Sequence, residues 1–258
     1  MSFFCPLASG SKGNSSLLKT KNGSLLIDAG LSARSLSERL CALGTSLEDI
    51  KAIFITHEHH DHISGLKSLA FKYSIPIIAN YATAEAIVEA LGDCPSFKIF
   101  TTDELFEFLG MEIYPFSVRH DGVDPVGLSI KVEGKKLGIC TDIGFVTHTV
   151  RHHLQASNIM YIEANHQIEM VHASNRPELY KRRVLGPTGH LSNEAAGKLL
   201  VDVASSSLEH VFLAHLSSEC NTPETSLRVV SGILGPDLCS KIKLSVAYQD
   251  ALSDKALL

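Results

Sequence analysis

Six consecutive residues, His57-Glu58-His59-His60-Asp61-His62, follow an apolar stretch, Lys51-Ala52-Ile53-Phe54-Ile55-Thr56, and precede Gly65-Leu66-Lys67-Ser68-Leu69-Ala70. The first flank has the β-branched and aromatic content of a buried strand and the second reads as a helix start, so the histidines occupy a strand-to-helix loop. Side chains alternate along an extended segment, which points His57 and His59 the same way and lets them share one cation. Asp61 and His62 come where the chain turns, so they face a second point and suit a second cation. Imidazole with carboxylate is a ligand set for zinc, manganese or iron rather than calcium or magnesium. Histidine-rich runs also occur in metal-scavenging tails, but this one is internal and flanked by apolar structure. A centre for two cations needs ligands from more than one loop, so the fold must gather others around this one.

Size and composition leave room for such a fold. The chain has 258 residues, 45% hydrophobic and 20% charged, which suits a single domain over residues 1–258 with a large core. No apolar run approaches the ~18 residues that span a bilayer, and Met1-Ser2-Phe3-Phe4-Cys5-Pro6 has no cationic lead-in. Cys5, Cys41, Cys94, Cys140, Cys220 and Cys239 are scattered without a C-x-x-C pair, which fits free thiols in a reducing compartment. The expectation is a cytoplasmic protein with no membrane association and no obligate protein partner. A net charge of −5 argues against non-specific coating of nucleic acid and still permits a local basic patch.

The hydrophobic pattern alternates short strands and helices. Strands are expected at 24–28, 75–79, 111–118, 127–132, 136–141, 158–164, 209–214 and 241–246, with Pro76 favouring a sheet edge for the second. Glu133-Gly134-Lys135 supplies a hairpin turn. Leu36, Leu40 and Leu43 mark a helix closed by Gly44, and further helices are expected at 82–91, 192–205 and 223–234, the last capped by Thr222 with Pro223 at its first position. Strands in both halves with interspersed helices imply two sheets packed face to face and covered by helices, a four-layer α/β sandwich.

Three further residues stand just past expected strand ends, where one sheet edge can collect them: His120, Asp142 and His215. Singly, each also reads as a turn or capping residue. Jointly, downstream of the 57–62 run, they read as ligands. At this point the sequence resembles the metallo-β-lactamase superfamily, whose signature is His-x-His-x-Asp-His followed by a distant His, an Asp and a final His. The resemblance implies the αββα sandwich, with His57, His59 and His120 on a first metal, Asp61, His62 and His215 on a second, and Asp142 bridging both. His60 gains no role.

Two segments resemble nucleic-acid-processing branches. Tyr161-Ile162-Glu163-Ala164-Asn165-His166 and Gly189-His190-Leu191-Ser192-Asn193-Glu194-Ala195-Ala196 are similar to segments of RNase Z in which Glu and His share a proton-transfer role. More closely, 7–15 (Leu-Ala-Ser-Gly-Ser-Lys-Gly-Asn-Ser), Gly189 to Asn193 and Ala214-His215-Leu216-Ser217 resemble the YycJ (WalJ) group of metal-dependent 5′ to 3′ exonucleases on double-stranded DNA. Gln167 departs from the acidic residue expected there. Asp142 stands where true β-lactamases tend to carry Cys, and the chain is too short between Asp142 and His190 for the inserted domain of RNase J relatives.

The resemblance implies a dinuclear hydrolase using zinc or manganese, with iron also admitted, on a nucleic acid, DNA favoured over RNA. Asp61 would take a proton from the attacking water, and His190, positioned by Glu163, would protonate the departing sugar oxygen. Lys181, Arg182 and Arg183, with Ser192 and Asn193, are the expected substrate contacts; the basic run reads equally as a solvated helix end. Ser9 to Asn14 reads as a phosphate-binding loop or as a tight turn. The alternatives are an RNA-processing nuclease of RNase Z type and a hydrolase of small thioesters, lactones or cyclic phosphodiesters.

Overall fold

Apolar residues on both faces of most strands leave only one arrangement, with each sheet covered on both sides. The computed structural model, which describes residues 1–258, has that arrangement. The first half contributes β1 (Phe3–Ala8), β2 (Ser15–Thr20), β3 (Gly23–Ile27), α1 (Ala33–Ala42), β4 (Ile50–Phe54), α2 (His60–Ile63), α3 (Leu66–Lys72), β5 (Ile77–Asn80), α4 (Tyr81–Leu91) and β6 (Phe97–Phe100). The second contributes β7 (Phe106–Phe108), β8 (Met111–Ser117), β9 (Val126–Val132), β10 (Lys135–Cys140), α5 (His148–Leu154), β11 (Ile159–Glu163), α6 (Ile168–Ala173), α7 (Glu178–Val184), α8 (Asn193–Val203), β12 (His210–Ala214), α9 (Pro223–Cys239), β13 (Lys243–Val246) and β14 (Ala256–Leu257). The strands form two seven-stranded sheets, ordered β14-β1-β2-β3-β4-β5-β6 and β13-β12-β11-β10-β9-β8-β7.

The period of two along each strand sorts the side chains into layers. In β3, Leu25 and Ile27 face the second sheet, where they pack with Phe4, Phe54, Leu128, Ile139 and Phe212. Leu26 faces the other way, onto Leu36, Leu40, Leu66 and Ile87 of the covering helices. The outer face of the second sheet packs Ile162, Val211 and Leu213 against Leu154, Leu199, Leu200 and Val230. The expected four-layer αββα sandwich is therefore the fold. Phe54 is fully buried and stacks on Phe100 with ring centroids 4.9 Å apart, so its truncation to Ala should destabilise by roughly 3–5 kcal/mol.

One placement differs from the sequence reading. Strand β5 lies inside its sheet, between β4 and β6. Pro76 stands just ahead of it, where a missing N–H breaks no ladder bond, and its carbonyl accepts from Ile53 N at 2.9 Å. Helix α9 kinks at Gly235, whose φ of 73° precedes Pro236, so its first segment ends at Leu234 as the pattern expects. Strands β3, β4, β5 and β6 run parallel, as do β10, β11, β12 and β13. Parallel strands gather their C-terminal loops at one edge: Asp28, His57, Asp142 and His215 follow such ends and Glu163 closes β11.

Candidate metal centre

The loop after β4 is held from two sides. Asn14 N donates to Asp61 O at 2.7 Å, Ala29 N to His62 O at 2.7 Å, and Gly65 N to Ala29 O at 2.8 Å. Gly30 lies where these segments meet: a Cβ there would stand 1.7 Å from Asp61 O and 2.5 Å from Asn14 N, so the close approach admits no side chain. Asp142 and His215 adopt left-handed backbone, with φ of 57° and 53°, a conformation uncommon outside glycine and concentrated at functional sites. The His215 turn is pinned by Ser9, whose Oγ accepts from His215 N at 2.7 Å, and by Asn165, whose Nδ2 donates to His215 O at 2.8 Å.

The side chains of all seven expected ligands converge at this edge. Ligand atoms of His57, His59 and His120 lie within 4.8 Å of one another, as do those of Asp61, His62 and His215, and those of His57, His62 and Asp142. Asp142 Oδ1 stands 3.8 Å from His120 Nε2 and 3.5 Å from His215 Nε2, and its Oδ2 stands 3.4 Å from His62 Nε2, so it reaches both histidine groups. Two atoms in the middle, His57 Nε2 and Asp142 Oδ2, are buried and hydrogen-bond to nothing in the protein. Buried polar atoms without partners are costly, and a divalent cation satisfies such nitrogen and carboxylate donors.

Most of the rings are oriented through the nitrogen facing away from the centre, as metal-ligating histidines are. His62 Nδ1 donates to Asp28 Oδ2 at 2.8 Å, His120 Nδ1 to Gly189 O at 3.1 Å, and His57 Nδ1 stands 3.1 Å from Thr56 Oγ1. His215 Nδ1 stands 3.4 Å from Glu163 Oε1. Burial opposes charge on His62, but Asp28 and Asp142 outweigh it and raise its pKa. Burial also opposes the Asp61 carboxylate, yet the hydrogen bond from His215 and the charge of His62 hold it at about 2.

Glu163 is fully buried and spoken for. Its Oε2 accepts from Ile143 N at 2.8 Å and Leu191 N at 3.1 Å, while Oε1 accepts from His190 Nδ1 at 2.7 Å. Burial would raise its pKa, but His190 and His215 hold it down to about 2. It therefore orients His190 as an anion, and His190, part-exposed, lines the cleft with its other ring nitrogen not bonded to Glu163.

The sequence profile of the metallo-beta-lactamase superfamily matches residues 8–215, most of the chain. The chain belongs to that superfamily. It is 35% identical over 233 residues to exodeoxyribonuclease YycJ of Bacillus anthracis, covering 90% of this chain and 88% of that one. It is also 35% identical over 237 residues to exodeoxyribonuclease WalJ of Streptococcus pneumoniae, with the same coverages. The solved metallo-beta-lactamase fold protein YhfI of Bacillus subtilis superposes with a TM-score of 0.74 at 15% identity, over 99% of each chain, a likeness of fold. The protein is accordingly a metal-dependent hydrolase that uses a divalent cation. No helix is long and apolar enough to cross a membrane.

Around this superfamily centre the expected substrate contacts separate. A cleft of about 190 Å³ is lined by His59, Asp61, Asp142, His190 and His215 together with Ser11, Asn165, Tyr180, Arg183, Val184 and Ser217. Arg183 is thus in the cleft. Lys181 turns away, its Nζ donating to His172 O at 2.8 Å, and Arg182 is exposed outside the lining. Ser192 and Asn193, expected as substrate contacts, also stand outside the cleft lining. Ser192 caps α8, its Oγ accepting from Ala195 N at 3.2 Å, and Asn193 is fully buried, its Nδ2 donating to Gln167 and Asn221, each at 3.0 Å. Both side chains are engaged in the fold and neither lines the cleft.

The loop from Ser9 to Asn14 turns inward rather than offering its N–H groups. Gly10 N donates to Asn14 Oδ1 and Lys12 N to Gln249 Oε1, while Asn14 Nδ2 donates to Asp61 Oδ2 at 2.9 Å. Sequence reading missed three residues that work on the ligands: Asp28, Asn14 and Asp121, whose Oδ1 lies 3.3 Å from His120 Nε2 and 3.5 Å from His59 Nε2. Each offered a weak signal, a polar residue after a strand or next to a ligand. His60 is exposed and contributes nothing to the cluster.

Proposed function

We propose that the protein is a dinuclear phosphodiesterase acting as a 5′ to 3′ exonuclease on double-stranded DNA, with zinc or manganese as its metals and iron also suited to the donor set. The observation that carries the reaction class is the Glu163–His190 pair, 2.7 Å apart beside the ligand cluster. A thioester hydrolase releases a thiolate, which has less need of such a donor. The choice of DNA rests on the names of the two relatives at 35% identity. His57, His59 and His120 would hold one cation, Asp61, His62 and His215 the other, with Asp142 between them. Bound there, the cations acidify water and screen negative charge on the phosphoryl oxygens.

The chain's own groups supply the rest. Asp61 lines the cleft and is held ionised, so it can accept a proton from the attacking water. His190, whose Nδ1 is taken by Glu163, would deliver a proton from its other ring nitrogen to the departing sugar oxygen. Glu163 keeps the ring in register, and general acid catalysis of this kind is typically worth about 10²- to 10⁴-fold in rate. Hydrolysis of bis-p-nitrophenyl phosphate by the zinc- or manganese-loaded protein tests the class. The wild type should turn it over and Asp61→Ala should not; a wild type inert with either metal contradicts the proposal.

A further inference from the structure

Arg183 is the one Lys or Arg side chain that lines the cleft. Its Nε donates to Asp121 Oδ2 at 2.7 Å, and its terminal nitrogens make no hydrogen bond within the protein. The side chain is 60% exposed, yet its direction is set by Asp121, which is itself lodged beside His59 and His120. One turn earlier on the same short helix, the Tyr180 hydroxyl also has no partner in the protein, although its half-buried ring packs with Val171, Val184 and Cys220. That small cluster is separate from the three large ones, so α6 and α7 form an arm with its own core that carries Tyr180 and Arg183 to the rim of the cation cluster.

A planar donor pair next to a hydroxyl, the one fixed cation in a cleft whose acidic groups are Asp61 and Asp142 at the ligand cluster, matches the oxygens of a phosphate. The phosphoryl group being cleaved would be met by the cations that the seven ligands hold. Building on the phosphodiesterase reading, we propose that Arg183 and Tyr180 form a second phosphate subsite, taking a phosphate of the same substrate other than the one under attack. Asp121 is its positioning residue. It occupies Nε and leaves the two terminal nitrogens for the ligand. Lysine, with a single ammonium, cannot serve Asp121 and a phosphate together in that geometry.

The test compares two nucleotides that differ by one phosphate, binding to the zinc-loaded protein by calorimetry. Wild type should bind deoxyadenosine 3′,5′-bisphosphate about tenfold more tightly than deoxyadenosine 5′-monophosphate, and Arg183→Ala should bind the two alike with unchanged zinc content. Asp121→Ala should lose the same preference, Tyr180→Phe should lose part of it, and Arg183→Lys should not restore it. Because the readout is a ratio, a general loosening of the site does not move it. An equal preference in wild type and Arg183→Ala overturns the subsite. The phosphodiesterase reading fails separately, if the wild type binds both nucleotides but leaves bis-p-nitrophenyl phosphate intact.

Discussion

His62 Nδ1 lies 2.8 Å from Asp28 Oδ2, and the same carboxylate accepts from Thr56 N at 2.9 Å and Thr56 Oγ1 at 3.0 Å. One buried anion after β3 thereby fixes the tautomer of a ligand and the start of the loop that bears it. Supporting partners of this kind are worth about 10- to 100-fold in metal affinity. Asp28→Ala should lower the affinity for one cation by that factor, read by zinc titration against a competing chelator. Stoichiometry and affinity equal to wild type would show that Asp28 does not orient His62.

In the proposed mechanism His190 and Glu163 act without holding the metals. His190→Ala should cut turnover of bis-p-nitrophenyl phosphate by about 10²- to 10⁴-fold while elemental analysis finds the metal content unchanged. A variant that loses its metals would make His190 a ligand and remove it as proton donor. Glu163→Gln should slow turnover as well, because the amide no longer keeps the ring in register.

Crowding at Gly30 gives a structural check. A Cβ there would lie 1.7 Å from Asp61 O, so Gly30→Ala must push the loop bearing Asp61 and His62 away from its partners. Overpacking of this sort destabilises by typically 1–3 kcal/mol. The expected outcome is a lower melting temperature together with reduced metal binding, measured on the same preparation.

Acid sensitivity has one source far from the metals. His210, at the start of β12, is buried with its ring 4.0 Å from that of Phe212 and its Nε2 2.7 Å from Ser245 Oγ. Burial, helped by the charge of Lys243, pushes its pKa down to about 4. The unfolded chain therefore binds the extra proton first, and stability falls as pH drops through the window from the ordinary histidine value of about 6.5 to about 4, with no further loss below it. Urea midpoints at pH 7 and pH 5 should differ less for His210→Gln than for wild type. Equal differences would contradict the assignment.

Much of this centre is legible in sequence because its ligands sit at strand ends, where local pattern shows both the strand and the polar residue that ends it. His57 to His62, His120, Asp142 and His215 all have that form. Asp28, Asn14 and Asp121 do not announce themselves, since they act through partners distant in sequence: Asn14 lies 47 positions from Asp61, and Arg183 62 from Asp121. Ser192 and Asn193, expected as substrate contacts, stand outside the cleft lining for the opposite reason. They neighbour His190 in sequence, but a helix cap and a buried amide network use them up. Helices α6 and α7 span six and seven residues, too short to leave a clear period, and only their packing on Cys220 makes them an arm of the cleft.

The central claim is best tested on nucleic acid itself. End-labelled, 5′-phosphorylated duplex DNA, single-stranded DNA and RNA are digested by the manganese- or zinc-loaded protein, with His62→Ala as the control. Mononucleotides released progressively from the 5′ end of the duplex, and not by the variant, are the expected result. All three substrates left intact by the metal-loaded wild type would contradict it.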